Sequence, residues 1–518
     1  MNNIPNLCIG DVSPNGQVSI LDEDRLSYSV LNNSKGAVGI RTISKSLLNE
    51  FIGYIIEHPD NTPTEVRNEL CGRTKIDKFE YGYASTLCIM AQMAISKRNA
   101  YRTDKSNENQ NRLSPDDISY ISAIKTKPFV ILGGFSGTGK SQKVKELAFA
   151  TCPNNSHLRT SETTPGNYLL LSVKPNWHDA TEITGFRSSV NRNYYVTDFM
   201  RFLIKAMHFP NVPFFVCLDE MNLAPVEEYF ADFLSVIESR KKTSSGQIVT
   251  DAIIPASVFN EEYNDNFCIF DCLGFERMDR GMTDDGLHET LLGKFIRIDL
   301  INKIKRDGLT IPSNVIIIGT VNMDDTTNSF SRKVIDRAMT FETVVGKFGD
   351  EYFNSDVALN YVKNPLNGEL FLSDEVRATQ MIDEGRFILT KEEQTKILNF
   401  INDINEDLDG SPFKISYRIL NETILLYRSK KRIAEIMKDE DGLADGVEFK
   451  TDLNTIFDDI LMQKVLPRIE GDYEKCSKCL NKLSSRADNN EWQKSYDKIE
   501  FMIKRFGSDR SGFTSFWN

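Results

Sequence analysis

The chain has 518 residues, 40% hydrophobic and 26% charged, with a net charge of 62 − 74 = −12. That length asks for about three domains, and the acidic balance excludes a uniformly basic surface that coats nucleic acid, leaving only a local basic patch open. No apolar run approaches the roughly 20 residues that span a bilayer, and nine scattered cysteines with no signal peptide before them read as reduced thiols of a cytoplasmic protein.

Residues 1–102 form a first block with 11 basic and 11 acidic side chains. Short apolar runs among Gly, Asn and Asp to about Gly39 predict strands and turns. Helices follow at Ser44–His58, Thr64–Leu70 and Thr86–Lys97, which makes this a small α+β domain. It holds no catalytic constellation, and His58 reads as a surface residue. Its neutrality weakens a DNA-reading role, because phosphate contacts need clustered Lys and Arg. Residues 103–113 (TDKSNENQNRL) are polar and read as a linker. Ser114-Pro115-Asp116-Asp117 then supplies an N-cap, a proline for the first helical position and early acids.

The stretch Pro128–Ser141 (PFVILGGFSGTGKS) is an apolar strand, a glycine-rich turn and the start of a helix. Gly134-x4-Gly139-Lys140-Ser141 fits the phosphate-cradling loop in full. Gly134, Ser136, Gly137, Thr138, Gly139, Lys140 and Ser141 are the candidate nucleotide-binding set. Glycines let backbone N–H groups face an anion, and the helix directs its positive end at the same place. Lys140 reaches the β- and γ-phosphates, and the Ser141 hydroxyl is a ligand for Mg²⁺.

Tyr168–Val173 and Pro213–Glu220 are further buried-strand candidates. The second ends in two acids: Asp219 to hold Mg²⁺ and Glu220 to polarise the attacking water. Glu227–Lys242 reads as a helix with Phe230, Phe233, Leu234 and Ile237 as its buried face. Residues 243–312 are irregular with a helix near Leu292–Asp307, and their chemistry assigns no role. Val315–Asn322 is another strand, whose terminal Asn322 is placed to orient water. Arg332 and Arg337 follow, and either is a cation able to reach a neighbouring subunit's phosphates, Arg337 the stronger candidate. From about 350 the pattern is helical, at Lys391–Leu408, Asn421–Lys438, Leu453–Gln463 and Glu491–Phe506. Arg418 begins a helix there and is expected to report on bound nucleotide across the interdomain cleft. Cys476 and Cys479 form a lone C-x2-C, and Cys268 with Cys272 is equally weak, because zinc needs four ligands.

The order phosphate loop, Asp-Glu strand, Asn-ended strand, Arg-bearing helix and helical lid resembles AAA+ ATPases. Val173-Lys-Pro-Asn-Trp177-His-Asp179 with Gly185-Phe186, Leu218-Asp-Glu-Met-Asn222, Gly319-Thr-Val-Asn-Met-Asp324 and Phe330–Arg337 narrow this to a resemblance to the McrB family, the NTPase subunit of methylation-dependent restriction systems. Gln463–Gly471 and Gly512–Trp517 also look like that group. The resemblance covers residues 115–518. It implies that Gly134, Gly139, Lys140 and Ser141 form the phosphate loop and that Asp219 and Glu220 are the Mg²⁺-binding and water-activating acids. It also implies that Asn322 is the Asn of a Met-Asn-Thr-x-x-Asp signature with Asp325 as its Asp. Here Val321 replaces Met and Met323 replaces Thr. Asn222 stands where the family has an Asn in the same polar network. Family members use GTP or ATP, and these residues leave the choice open.

The resulting expectation is an α/β P-loop NTPase of the AAA+ type. It has a recognition or partner-binding domain at 1–102, a nucleotide-binding domain at 114–348 and a helical lid at 349–518. It hydrolyses ATP or GTP with Mg²⁺ and closes into a homo-oligomeric ring, a hexamer, whose sites are completed by an arginine in trans. An McrC-like nuclease subunit is the implied partner, with DNA met through the N-terminal domain and no membrane. Two rivals share its residues: a remodelling ATPase of the MoxR or midasin kind, and a nucleotide-gated scaffold that barely turns over.

Overall fold

The computed structural model describes most of residues 113–260, 298–322, 330–343, 359–439, 451–508 and 512–517, together with strands at 12–44, 276–277 and 295–296. Two compact units emerge, Met1–Arg112 and Leu113–Asn518. In the first, β1 (Val12–Ser13), β2 (Gly16–Leu21), β3 (Arg25–Asn32) and β4 (Ala37–Ser44) form an antiparallel meander in that order. The helices expected at Ser44–His58, Thr64–Leu70 and Thr86–Lys97, the 103–112 part of the linker and Cys268 with Cys272 lie outside the described residues.

The second unit is built on five parallel strands. They are β5 (Phe129–Gly134), β6 (Tyr168–Ser172), β7 (Phe214–Asp219), β8 (Val315–Asn322) and β9 (Met339–Thr343), ordered β9-β5-β8-β7-β6. Every residue of β8 is buried, as its run of Val and Ile demands of a central strand covered on both faces. Helix α1 (Pro115–Thr126) leads into β5, and α2 (Lys140–Thr151) leaves its loop. Helix α3 (Asp198–His208) starts at Thr197, whose hydroxyl accepts Met200 N–H at 3.3 Å. This is the layered architecture of an α/β P-loop domain.

The helix expected over 227–242 is shorter. It breaks at Phe230, continues as α4 (Ala231–Glu238), and gives way to a hairpin of Lys241–Lys242 with Ile248–Val249. The buried face of Phe230, Phe233, Leu234 and Ile237 is as expected. In the 243–312 stretch, helix α5 runs Ile298–Asp307, and Ala252–Ile254 pairs with Leu309–Thr310.

The helical part comprises α6 (Lys391–Asp407), α7 (Tyr417–Asp439), α8 (Leu453–Ile460), a π-helical turn at Leu461–Val465, α9 (Tyr473–Asn489) and α10 (Gln493–Ser508). It shares one continuous core with the sheet. Helix α7 packs on α1, with Thr126 donating to Ser429 at 3.0 Å. The π turn lies on β9, where Thr340 donates to Gln463 O at 2.5 Å. A strap at 366–374 crosses the amino ends of the strands. Lys125 donates to Glu369 O and Leu372 O at 2.8 and 2.6 Å, and Leu366 N–H reaches Ala150 O at 2.8 Å.

Helix α9 was not among the expected elements. Cys476, Cys479, Leu480, Leu483 and Ala487 are its buried stripe, so the two cysteines serve as small apolar residues. Burial raises both thiols, that of Cys476 to about 12, and among the described residues no group of three or more His, Cys, Asp or Glu is arranged to hold a metal. The stretches Gln463–Gly471 and Gly512–Trp517 meet in space. β10 (Glu470–Asp472) pairs antiparallel with β11 (Phe513–Ser515), and Trp517 lies 6.2 Å from Phe330 ring to ring. Among the described residues no helix is long and apolar enough to cross a membrane.

Candidate functional site

Three adjacent strands, β5, β8 and β7, deliver the candidate residues at their carboxyl ends. The crossovers that leave β5 and its neighbour β8 run in opposite directions, to β6 and to β9, and such a switch point opens a crevice for ligands. The loop after β5 needs its glycines. Gly137 and Gly139 have φ of 78° and 77°, left-handed values that favour glycine. Gly134 sits against β9, where a Cβ would lie 2.2 Å from Thr343 Oγ1 and 2.6 Å from its carbonyl oxygen. Phe135, Ser136 and Gly137 are exposed at the crown of the loop.

Lys140 is buried, and its ammonium donates to Gly134 O at 3.0 Å and Phe135 O at 2.6 Å. Thr138 donates to Phe135 O at 2.9 Å and shares a 3.0 Å hydroxyl contact with Thr343, which in turn donates to Gly133 O at 3.0 Å. The edge strand β9 thus braces the loop from the side.

Ser141, at the start of α2, donates to Asp219 Oδ1 at the end of β7. Thr320 donates to the same oxygen at 2.8 Å and accepts Glu220 N–H at 3.0 Å. Asn322 Nδ2 donates to Glu220 Oε1 at 2.9 Å, and Asn222 donates to Asn322 O at 3.3 Å. Glu220 itself has φ 54°. A non-glycine residue there costs about 1–3 kcal/mol, and such strain gathers at functional sites. Ser141, Asp219, Glu220 and Asn322 are therefore one connected group. Cys217, two residues before Asp219, is buried, and burial, then the Asp219 charge, pushes its thiol up to about 12.

The arginines lie elsewhere. β9 runs parallel to β5 with Met339 opposite Val130, so Arg337 sits at the amino ends of the strands. Five residues of strand, about 16 Å, separate it from the phosphate loop. It pairs there with Glu238, at the end of α4, at 3.7 Å. Arg332 donates to Pro412 O at 2.6 Å and covers the Phe413 ring at 5.0 Å. Arg418 binds Glu238 at 2.6 Å, and Glu238 lies 3.8 Å from Lys127, which precedes β5. Arg418 is thus also at the amino ends, away from the loop whose nucleotide it was expected to sense. The physical reason is that α4 runs back from the carboxyl end of β7 and carries its terminal carboxylate down to the arginine. Asp325 lies outside the described residues.

Thr320 and Thr343 were missed. Period-two alternation puts Thr320 on the same face as Asn322, a signal available in the sequence. Nothing local marks Thr343. Trp177 of the quoted motif is a core residue, edge-on to Tyr229 at 5.4 Å, and Asp179 accepts Thr181 N–H at 2.9 Å.

A family model described as a domain of unknown function, DUF8727, matches residues 372–511, within the helical part. No curated protein matches the chain. Among solved structures, a candidate ATPase from Cytophaga hutchinsonii is similar over 66% of this chain and 82% of its own, at 11% identity and a TM-score of 0.33.

Proposed function

We propose that this chain is a Mg²⁺-dependent nucleoside triphosphatase of the AAA+ type. The observation that carries the reading is the convergence of Lys140, Ser141, Asp219, Glu220 and Asn322 at the carboxyl ends of three neighbouring strands. Backbone N–H groups of the Gly134–Gly139 loop cradle the phosphates, and Lys140 turns its ammonium to the β- and γ-oxygens. Ser141 and Asp219 present hard oxygen donors side by side, the set that suits Mg²⁺. The ion would supply neutralisation of phosphate charge there.

Glu220 takes a proton from water as its oxygen bonds to the γ-phosphorus and the bond to the bridging oxygen breaks. The products are nucleoside diphosphate and inorganic phosphate. Asn322 holds the Glu220 carboxylate in place. Thr320 ties the Asp219 side chain to the Glu220 backbone, so both acids are fixed by one hydroxyl.

The finer reading rests on the motif string and on Arg337. An arginine about 16 Å from its own phosphate loop serves chemistry only from a neighbouring copy, which calls for a closed ring of heterologous contacts. We propose such a ring, with the McrB-like motifs pointing to a separate nuclease partner and to DNA as the target. The test is phosphate release with ATP and with GTP, each with and without Mg²⁺, beside Glu220→Gln. Turnover of one nucleotide, lost without Mg²⁺ and in the variant, supports the enzyme. Tight nucleotide binding with no turnover, even with a co-purified partner, overturns it in favour of a gated scaffold.

A further inference from the structure

Lys464 is a buried cation that the nucleotide site does not use. It sits in the π-helical turn Leu461–Val465 with its side chain 1% exposed. Its ammonium donates to Asp336 O at 3.0 Å and to Ala338 O at 2.7 Å, and it pairs with Glu422 Oε2 at 2.9 Å. An ammonium has three donors, of which two go to these carbonyls while the Glu422 carboxylate balances the charge. The two carbonyls flank Arg337.

A second cation from the same stretch grips the same segment. Arg468 Nε lies 3.2 Å from Asp336 Oδ1, and its Nη2 donates to Lys414 O at 3.1 Å. Arg337 itself is held differently. Its Nε, like that of Arg468, has no hydrogen-bond partner among the described residues, and its pairing with Glu238 is longer, at 3.7 Å. The backbone is clamped while the guanidinium is loosely tethered.

Burial makes the clamp costly. Desolvation pulls the Lys464 pKa down to about 8, with Glu422 opposing it. A well-packed apolar side chain in such a place is often neutral or stabilising, so stability alone does not explain a lysine there. π turns gather at functional sites.

We propose that Lys464, seconded by Arg468, is a positioning residue for Arg337: the helical part of one subunit sets the arginine that acts on its neighbour's nucleotide. This rests on the reading of Arg337 as a trans-acting group. Lys464 touches no substrate in its own subunit. Its effect must therefore appear in the next site around the ring.

The experiment uses full-length protein and phosphate release with whichever of ATP and GTP is turned over. Lys464→Met alone should lose about tenfold or more in kcat, with the affinity of its own site for a fluorescent nucleotide changed less than about twofold. Mixed with Lys140→Ala subunits, which cannot bind nucleotide but carry an intact clamp and Arg337, turnover should recover. A control mixture of Arg337→Ala with Lys140→Ala must recover too. Recovery in the control but at no ratio for Lys464→Met overturns the proposal, because the lysine then acts within its own site or on folding. No recovery in the control overturns the trans reading and this proposal with it. Should Lys464→Met fail to fold, Arg468→Gln reaches Asp336 from a less buried position and carries the same test. Its recovery in the mixture supports the clamp, and a loss that does not recover overturns it.

Discussion

The two ends of the same five strands are built on different principles. At the carboxyl ends, side chains at the tips of β7 and β8 and at the start of α2 bond one another through hydroxyls and amides: Ser141 and Thr320 on Asp219, Asn322 on Glu220. At the amino ends, full charges, buried at Lys464 and Glu422 and half-buried at Arg337 and Glu238, form a network that draws on distant segments. Lys127 and Lys464 share Glu422, which burial pushes up but the two lysines hold below the usual carboxylate range. Arg337 and Arg418 share Glu238. Adaptable neutral donors suit a place where a ligand must exchange contacts. A buried ion cluster suits a place where geometry must not change, since breaking one partner leaves an uncompensated charge. Strand β9 joins the two, with Thr343 bracing the phosphate loop at one end and Arg337 just beyond the other.

Variants at the amino ends should touch chemistry alone, whereas variants at the carboxyl ends reach both chemistry and binding. The largest effect is expected at the amino ends. Arg337→Ala should lower kcat by about 10³ or more, as removal of a trans-acting arginine does in phosphoryl transfer, while equilibrium binding of nucleotide to its own site stays intact. A parallel loss of binding would show that the arginine serves its own loop, and the comparison would fail. Next comes Asn322→Ala, which frees the Glu220 carboxylate from its 2.9 Å donor. A drop of about 10² in kcat is expected, with KM little changed, by steady-state phosphate release.

Gly134→Ala sharpens the same contrast from the loop side. The added methyl meets Thr343 Oγ1 and the Thr343 carbonyl, so either β9 or the loop must shift. Nucleotide affinity should fall about tenfold, read by titration. Thr343→Ala in the same chain should restore part of it, because the side-chain clash goes and the backbone clash stays. Full restoration would mean that the backbone contact is slack.

The carboxyl end was legible in the sequence because its parts are local. Gly134 to Ser141 is one unbroken motif, and Asp219, Glu220 and Asn322 each close a run of apolar residues that announces a buried strand. The amino end was not legible. Lys464 and Asp336 are 128 residues apart, and Lys127 and Glu422 are 295. No periodicity marks a lysine that will be buried by charges so remote. The strand β9 was overlooked for a related reason. Met-Thr-Phe-Glu-Thr is short and half polar, and it becomes a strand because β5 and the π turn flank it. The pairing of Arg418 with Glu238 was not legible either, because only the path of α4 decides where Glu238 lands. Helix α9 was obscured by its cysteines, whose spacing suggested ligands while their burial needed only small apolar side chains.

The smallest expected effect tests whether the helical part acts through the clamp or merely by being folded. Thr390 caps α6, accepting Glu393 N–H at 3.1 Å, while Glu393 accepts Thr390 N–H at 2.8 Å and the Tyr427 hydroxyl at 2.5 Å. Partial burial raises the Glu393 carboxyl, but the Tyr427 hydroxyl and the Thr390 groups outweigh it and hold it at about 2. Thr390→Ala should cost about 1 kcal/mol, a Tm shift of about 1 °C in a unit of this size, with kcat unchanged. The sign of its pH dependence follows from a depressed acid. The stability that Glu393 contributes is present above its ordinary value of 4.5 and lost as pH falls through about 2, so the difference between the two proteins should narrow there. A loss of turnover in Thr390→Ala comparable to that of Lys464→Met would make any loosening of the helices enough to disable Arg337. The charged clamp would then have no special standing, and the contrast between the two ends of the sheet would reduce to one between a site and its support.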